Sequence, residues 1–413
     1  MSTSSTYKIK IHYQLLVQLV IWIFKKVFKI TANIPEEVTH INESYLLLAN
    51  HYGRYDPFII SDFIKKKPNF VSSDAILRDP IIGRIFKGLG AIPKKKGVRD
   101  TQVIREIKKV IDRGGAIALF PEATRTWSGV THYIDPSIAK LAKLLNVPVV
   151  TAKIKGAYAF DPRWARPLRR AEVEIEYDIA LSKADLKTLS SEQVMAIIKE
   201  KLTHDDIAYA KEANLVIRSN YRAEYIERML FQCPNCQSFD GFTSNKNKFS
   251  CNACNYTVHI NEKGCFTTKE GQIPYDNPRD WFNWQNVNFI RHIQENSSQP
   301  KEEPLFLAPK MEIHEAIGDG KMSKQGVGDV SFYTDRIEID CMGYTCLYHK
   351  DISSLSPQFK ERIELFCQDK AYRFASTQHQ EPGVKWELAI NAVWHATRQG
   401  FKLSPYFKEL FEE

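Results

Sequence analysis

The segment NHYGRYDP, residues 50–57, decides how this sequence is interpreted, because it places His51 and Asp56 five positions apart. It directly follows Tyr45–Ala49, an apolar run that is typical of a buried strand. Open α/β sheets bind ligands in loops at the carboxyl ends of strands, and histidine is well suited to accept a proton near neutral pH. The segment therefore predicts an α/β domain with a candidate base. Alternatively, an aspartate before Pro57 suits a helix start, and a single histidine is more often structural.

Three further segments follow in order: LGAIPKKKG at residues 89–97, GGAIALFPEATR at 114–125 and NVPVV at 146–150. With these segments the chain resembles the glycerolipid acyltransferases, the family of lysophosphatidic acid and glycerol-phosphate acyltransferases. That family carries four ordered blocks, NHxxxxD, G-x-I-P-x-x-R, FPEGTRS and an apolar block around a proline. All four occur here in this order, over roughly residues 30 to 225.

The resemblance implies transfer of a fatty acyl group from a thioester to the hydroxyl of a lysophospholipid, with 1-acyl-glycerol-3-phosphate or glycerol phosphate as the expected acceptor, in phospholipid synthesis. It makes His51 the general base for the attacking hydroxyl and Asp56 the carboxylate that holds the imidazole in its tautomer. No serine or cysteine nucleophile is needed, because the thioester is already activated. The donor is a thioester of either CoA or acyl carrier protein.

The same resemblance assigns Glu122, Thr124 and Arg125 to the acceptor, where Arg125 can fork onto phosphate oxygens. Further candidate substrate contacts in the first two blocks are Arg54, Gly90 and Lys96. Two residues depart from the family pattern. Lys96 replaces an arginine and loses its bidentate geometry, whereas Ala123 replaces a glycine and is restricted at positive φ. These departures leave the exact acceptor open.

Four cysteines predict a zinc site. Cys233 and Cys236 form one C-x2-C pair, Cys251 and Cys254 form another, and fourteen residues separate the pairs. Two such turns supply the tetrahedral coordination of structural zinc in a β-rich ribbon. A redox role is disfavoured because there are two pairs, and the nearby Cys265 is surplus to a four-ligand site.

The bulk composition is consistent with these expectations. A chain of 413 residues predicts two or three domains, and its eight cysteines, with no secretory cleavage signal, predict a reducing cytoplasm. The net charge of +8 suits an anionic membrane surface or nucleic acid. Nucleic acid is disfavoured because the basic residues are dispersed and no basic stripe with interleaved aromatics surrounds the cysteines.

Residues 1–30 contain five lysines and no acidic residue. Their apolar run, Leu15–Phe24, is too short to cross a membrane, which needs about 20 residues. The segment therefore predicts an interfacial amphipathic helix that binds anionic lipid, and a protein that is peripheral or monotopic on the cytoplasmic face of the cell membrane. The alternative is an amphipathic helix packed on the domain itself.

Alternating apolar runs and helical periods predict an α/β layered domain with a largely parallel sheet at 31–230. The predicted strands are Tyr45–Ala49, Phe70–Ser72, Ala116–Phe120, Val149–Ile154 and Val173–Ile179, and the predicted helices are Pro57–Lys65, Pro80–Gly88, Arg99–Arg113 and Pro136–Leu145. The pattern further predicts a zinc ribbon at 231–275, a bridging helix and linker at 276–303, and at 304–413 a β domain that resembles PH domains and ends in the helix Val384–Arg398.

Two other classes of function remain open from the sequence. The chain could be a zinc-ribbon binding module, or a non-catalytic lipid-binding descendant of the acyltransferases. The intact pair of His51 and Asp56 argues against the second class, because loss of catalysis usually removes such a pair first.

Overall fold

The computed structural model describes residues 7–94, 101–131, 133–239, 241–269, 271–297, 302–317, 322–358, 362–377, 381–404 and 407. The chain divides into two compact units. The first comprises Met1–Arg222 with Glu262–Gly264, and the second comprises Ala223–Asn261 with Cys265–Glu413. The five segment boundaries expected from the sequence stay predictions.

A seven-stranded sheet forms the centre of the first unit, in the order β1-β7-β6-β2-β5-β3-β4. All neighbouring strands run parallel except β6 and β7. This confirms the predicted α/β fold class with its largely parallel sheet. The strands are β1 (Ile30–Asn33), β2 (Leu46–Ala49), β3 (Asn69–Ser73), β4 (Ile92–Lys94), β5 (Ile117–Leu119), β6 (Val149–Lys155) and β7 (Val173–Leu181).

Helices α6, α7 and α10 cover part of this sheet with apolar side chains. In α6, Val103, Ile107, Val110 and Ile111 are buried at helical spacing and join the core formed by β2, β5 and β6. The helices of the unit are α1 (Ile11–Val27), α2 (Glu36–Thr39), α3 (Asp56–Asp62), α4 (Asp74–Leu77), α5 (Ile82–Gly88), α6 (Thr101–Asp112), α7 (Ser137–Leu145), α8 (Ala157–Phe160), α9 (Lys183–Thr188), α10 (Ser191–Leu202) and α11 (Asp206–Glu212).

The central strand β2 determines where the candidate site lies. All four of its residues are completely buried, as expected for a strand covered on both faces. It pairs in parallel with β5 on one side and β6 on the other, so all three strands end at the same edge of the sheet. Asn50 fixes this edge, because its side chain donates to Ile154 O at 3.0 Å and accepts from Ile154 N at 2.8 Å. The loops after β2 and β5 are therefore neighbours.

The second unit begins with a small antiparallel sheet that carries the cysteines. Its strands, in the order β11-β10-β9-β8, are β8 (Phe242–Asn245), β9 (Lys248–Cys251), β10 (Thr257–Ile260) and β11 (Phe266–Thr267). Trp281 of the following helix, α12 (Pro278–Asn296), is fully buried. Its ring lies 5.6 Å from those of Phe242 and Phe249 and 5.8 Å from that of Phe266, so α12 completes the core of this sheet.

A second seven-stranded sheet, entirely antiparallel, follows in the order β15-β14-β13-β12-β18-β17-β16. Its strands are β12 (Phe306–Ile317), β13 (Ser323–Phe332), β14 (Arg336–Asp340), β15 (Tyr344–Tyr348), β16 (Ile352–Pro357), β17 (Ile363–Cys367) and β18 (Lys370–Ser376), and the terminal helix is α13 (Gly383–Ala396).

Helix α13 is more buried than its sequence predicts. The sequence indicates one apolar face, yet every residue from Gly383 to Trp394 is buried. Trp386 packs on the aromatic rings of Phe306, Phe332 and Phe374 in the sheet, while α12 packs against α13. Because a second helix covers it, α13 buries more than the single face that amphipathic periodicity assumes.

Candidate active site

His51 and Asp56 form a hydrogen-bonded pair in the loop after β2. The imidazole Nδ1 lies 2.8 Å from Asp56 Oδ2. The same carboxylate oxygen accepts the backbone N–H groups of Tyr52 at 2.7 Å and Gly53 at 2.9 Å. Asp56 is thus a buried, hydrogen-bonded carboxylate that favours the tautomer with a proton on Nδ1. Nε2 then carries the lone pair that a general base needs.

The electrostatic environment keeps this base neutral. Burial lowers the pKa of His51, and the hydrogen bond and charge of Asp56 oppose that effect only in part. The positive charges of Arg125 and Arg163 lower the pKa of His51 further. The side chain is still 19% exposed and stacks on the ring of Phe120 at 4.0 Å. His51 is therefore oriented, unprotonated near neutral pH and accessible.

The loop after β5 is attached directly to His51. The backbone N–H of His51 donates to Glu122 Oε1 at 2.8 Å, and Thr126 N donates to His51 O at 3.0 Å. Glu122 itself is buried. Both backbone polar groups of His51 are thus occupied by the segment that resembles the family's acceptor block.

Arg163 joins this arrangement although the sequence patterns did not single it out. The side chain is buried, and its Nη1 donates to Thr124 Oγ1 and to Arg125 O, both at 2.9 Å. The guanidinium lies 3.9 Å from the centre of the Trp127 ring, a cation–π contact. Arg163 thereby holds the backbone of Arg125 in place. The only signal in the sequence was an arginine-rich stretch after the fourth block.

The remaining predicted contacts lie in different places. Arg54 hydrogen-bonds to the buried carboxylate of Asp161, with Nη2 at 2.5 Å and Nε at 3.2 Å from Oδ1. Gly90 lies in the turn between α5 and β4 with φ +71°, where a Cβ atom would approach Asn69 Nδ2 to 2.3 Å. Gly90 is required there for the backbone. Lys96 lies outside the described residues. The structure therefore brings His51, Asp56, Glu122, Thr124 and Arg125 together.

An apolar cavity of about 50 Å³ lies between α1, α3 and α5. Its lining includes Ile21, Phe58, Phe70 and Phe86. The ring of Phe70 is 6.2 Å from that of Phe120, which in turn stacks on His51. Aromatic side chains thus connect the cavity to the candidate base.

The four cysteines fit a zinc ion. Their Sγ atoms all lie within 4.8 Å of one another. The Cys233–Cys254 and Cys236–Cys251 Sγ distances are 3.8 and 3.7 Å. Zinc–sulfur bonds of about 2.3 Å in a tetrahedron require sulfur atoms roughly 3.8 Å apart. The donor set and its spacing are therefore those of a structural zinc site with four thiolate ligands.

Comparison with known proteins gives one family match. Residues 28–155 match the family model described as Acyltransferase. No curated protein matches the chain. Among solved structures, it is similar to the 1-acyl-sn-glycerophosphate (LPA) acyltransferase PlsC from Thermotoga maritima, with 17% identity and a TM-score of 0.40, covering 49% of this chain and 81% of that chain. It is also similar to the Vps36 N-terminal PH domain, with 16% identity and a TM-score of 0.19, covering 23% and 82%.

The family match lies within the first unit, over a range that contains both His51 and Arg125. Among the described residues, no helix has the length and hydrophobicity that a membrane span needs.

Proposed function

We propose that this protein transfers a fatty acyl group from a thioester to the hydroxyl of a lysophospholipid, with 1-acyl-glycerol-3-phosphate as the acceptor, in phospholipid synthesis. The observation that carries the proposal is the neutral, accessible imidazole of His51, held by the buried Asp56 beside the charge of Arg125. The family match over residues 28–155 supports the class of reaction.

In this reaction, His51 Nε2 removes the hydroxyl proton while the acceptor oxygen attacks the thioester carbonyl carbon. Asp56 stabilises the imidazolium that forms. The tetrahedral intermediate collapses, the carbon–sulfur bond breaks, and the imidazolium returns its proton to the leaving thiolate. Each turnover therefore converts a thioester and an alcohol into an ester and a thiol, and His51 ends in its starting state.

The loop after β5 binds the acceptor. Arg125 forks onto the phosphate, and Arg163 fixes its position through the carbonyl of Arg125 and the hydroxyl of Thr124. Glu122 accepts from a glycerol hydroxyl. Arg54 and Lys96 are further phosphate contacts in the proposal, with Arg54 also oriented by Asp161.

The apolar cavity beside α1, with a volume of about 50 Å³, holds roughly two methylene groups of the donor's acyl chain in this proposal. Phe70 and Phe120 lead from its wall to the imidazole, so a chain placed there would present its carbonyl near His51. Burying methylene groups in this cavity contributes roughly 0.8 kcal/mol for each.

Helix α1 docks the enzyme on an anionic membrane, on its cytoplasmic face. One side of the helix is attached to the domain through the buried Ile21 and the ion pair of Lys25 with Asp62 at 2.6 Å. The other side exposes large apolar residues that include Leu15, Leu16, Leu19, Val20, Trp22 and Ile23. In this proposal the helix combines both sequence interpretations, because it packs on the domain and its exposed apolar side binds lipid.

In the second unit, Cys233, Cys236, Cys251 and Cys254 hold one structural zinc ion, and residues 304–413 act as a PH-like domain in this proposal.

The central test measures free thiol release from a fatty acyl thioester with a panel of lysophospholipids and glycerol phosphate. His51→Ala is expected to reduce turnover by at least about 10². His40→Ala, which changes an exposed histidine of the same unit, is the matched control and should keep full turnover. Near wild-type activity in a folded His51→Ala variant would exclude the base assignment. Vesicle binding without thiol release on any acceptor would favour a non-catalytic lipid-binding role.

Membrane docking has its own test. Sedimentation with vesicles should show binding that rises with anionic lipid and falls with salt. Replacing Leu19 and Trp22 by glutamate should greatly weaken it. Ile104→Glu, an exposed apolar position on α6, should not. If the Leu19 and Trp22 double variant bound vesicles as well as Ile104→Glu and the wild type do, the membrane contact would lie elsewhere, with residues 304–413 as the next segment to examine.

A further inference from the structure

The loop between α8 and β7 is rich in arginine. Residues 163–170 read RWARPLRR, with four arginines and no acidic residue. Two of them point inward, because Arg163 and Arg169 are buried against tryptophan rings. Arg166 and Arg170 are exposed. Half of this positive charge is therefore directed to solvent.

A backbone bridge sets a further arginine directly opposite Arg170. Arg170 N donates to Arg218 O at 3.2 Å, and Arg218 N donates to Arg170 O at 2.9 Å. Residues that face each other in this way project their side chains from the same side of the ladder, and like charges in these positions destabilise it. Both side chains are exposed, and neither has a hydrogen bond or ion pair with any residue that the structure describes. Their pairing is explained if they share an anion.

This pair lies at the same edge of the sheet as His51. Strand β6 ends at that edge, and β7 runs antiparallel to it, so β7 begins there, three residues after Arg170. In the sheet, β7 is two strands from β2, which corresponds to a lateral distance of about 10 Å. The arginine-rich loop also contacts the His51 loop, because Arg54 Nη2 donates to Arg166 O at 2.8 Å.

We propose that Arg170 and Arg218 bind phosphate groups of the CoA portion of the thioester donor. This inference rests on the proposed acyl transfer and selects its donor. The acceptor phosphate is already assigned to Arg125 next to the base, so a second phosphate-binding pair fits a donor that carries phosphate groups of its own. In acyl-CoA, a long pantetheine arm separates the thioester from a diphosphate and a 3′-phosphate. Two arginines side by side match this group, since each guanidinium binds phosphate oxygens bidentately.

Binding of CoA and of adenosine 3′,5′-bisphosphate to the full chain, measured by titration calorimetry, tests the site without requiring turnover. The double variant Arg170→Gln with Arg218→Gln should raise the Kd for both compounds by on the order of 10- to 100-fold. Replacing both residues by lysine keeps the charge but loses the fork, so its Kd should be intermediate. Arg105→Gln, an exposed arginine on α6, is the matched control and should leave the Kd unchanged.

Kinetic measurements distinguish the phosphate groups of CoA from those of the acceptor or of lipid headgroups as the ligand of this arginine pair. The glutamine double variant should raise the KM for acyl-CoA while the KM for the acceptor stays constant. It should use acyl-pantetheine, a thioester without phosphate, as well as the wild type does. An unchanged affinity for CoA together with weaker binding to anionic vesicles would overturn the proposal in favour of lipid headgroups. Equal KM values for acyl-CoA in the wild type and the glutamine double variant would refute the proposed CoA site and leave the proposed acyl transfer intact. If the wild type showed no transferase activity but bound CoA, and the glutamine double variant lost that binding, only the proposed function would be refuted.

Discussion

Ala123 adopts a backbone conformation that suits glycine, and Ala123→Gly should therefore stabilise the protein. Its φ is +59°, in the left-handed region, at the position where the resembled family block has glycine. An L-residue with a Cβ atom loses about 1–2 kcal/mol there. Glycine loses roughly 0.5–1 kcal/mol through the greater freedom of the unfolded chain. The difference predicts a net stabilisation of about 0.5–1 kcal/mol.

For a unit of this size, 1 kcal/mol shifts the midpoint of thermal unfolding by about 2–4 °C. Calorimetry of the full chain should thus show a rise of roughly 1–4 °C for the Ala123→Gly variant. Asn146→Gly is the matched control, since Asn146 has a φ of +49° but asparagine tolerates this region. It should change the midpoint less. A midpoint that falls in Ala123→Gly would show that the Ala123 side chain contributes contacts that outweigh the backbone strain.

Two further predictions concern the base and the metal. Asp56→Asn should lower kcat by about 10²–10⁴, because an amide does not stabilise the imidazolium. Since the Asp56 carboxylate raises the pKa of His51, its loss should move the acid limb of the kcat/KM profile to lower pH, and a limb that moves upward would contradict this arrangement. Metal analysis should find about one zinc ion per chain. Cys233→Ser with Cys251→Ser should release it, whereas Cys265→Ser should retain it, and a double variant that keeps its zinc would exclude this ligand set.

The sequence predicted the strands that carry the site to within one residue at most ends. Leu46–Ala49 and residues 149–152 are continuous apolar or β-branched runs because they are buried in the middle of the sheet. Strands β1 and β4 were not predicted. Each has only three or four residues at an edge of the sheet, partly exposed, so neither carries a long apolar signal. Helix α13 was predicted, but the burial of its second face depends on α12, which no local pattern encodes.

The difference between local patterns and long-range contacts also explains which site residues the sequence could indicate. His51 and Asp56 lie in one loop, so their spacing alone suggests the pair. Arg163 acts on Thr124 across 39 residues, and Arg170 meets Arg218 only where two distant segments form a bridge. Yet charges of this kind tune the base, since Arg163 and Arg125 together lower the pKa of His51 and so keep it available for the hydroxyl proton. Local spacing therefore identifies the atoms that would react, whereas the electrostatics that would make them reactive arises from long-range contacts that only the fold creates.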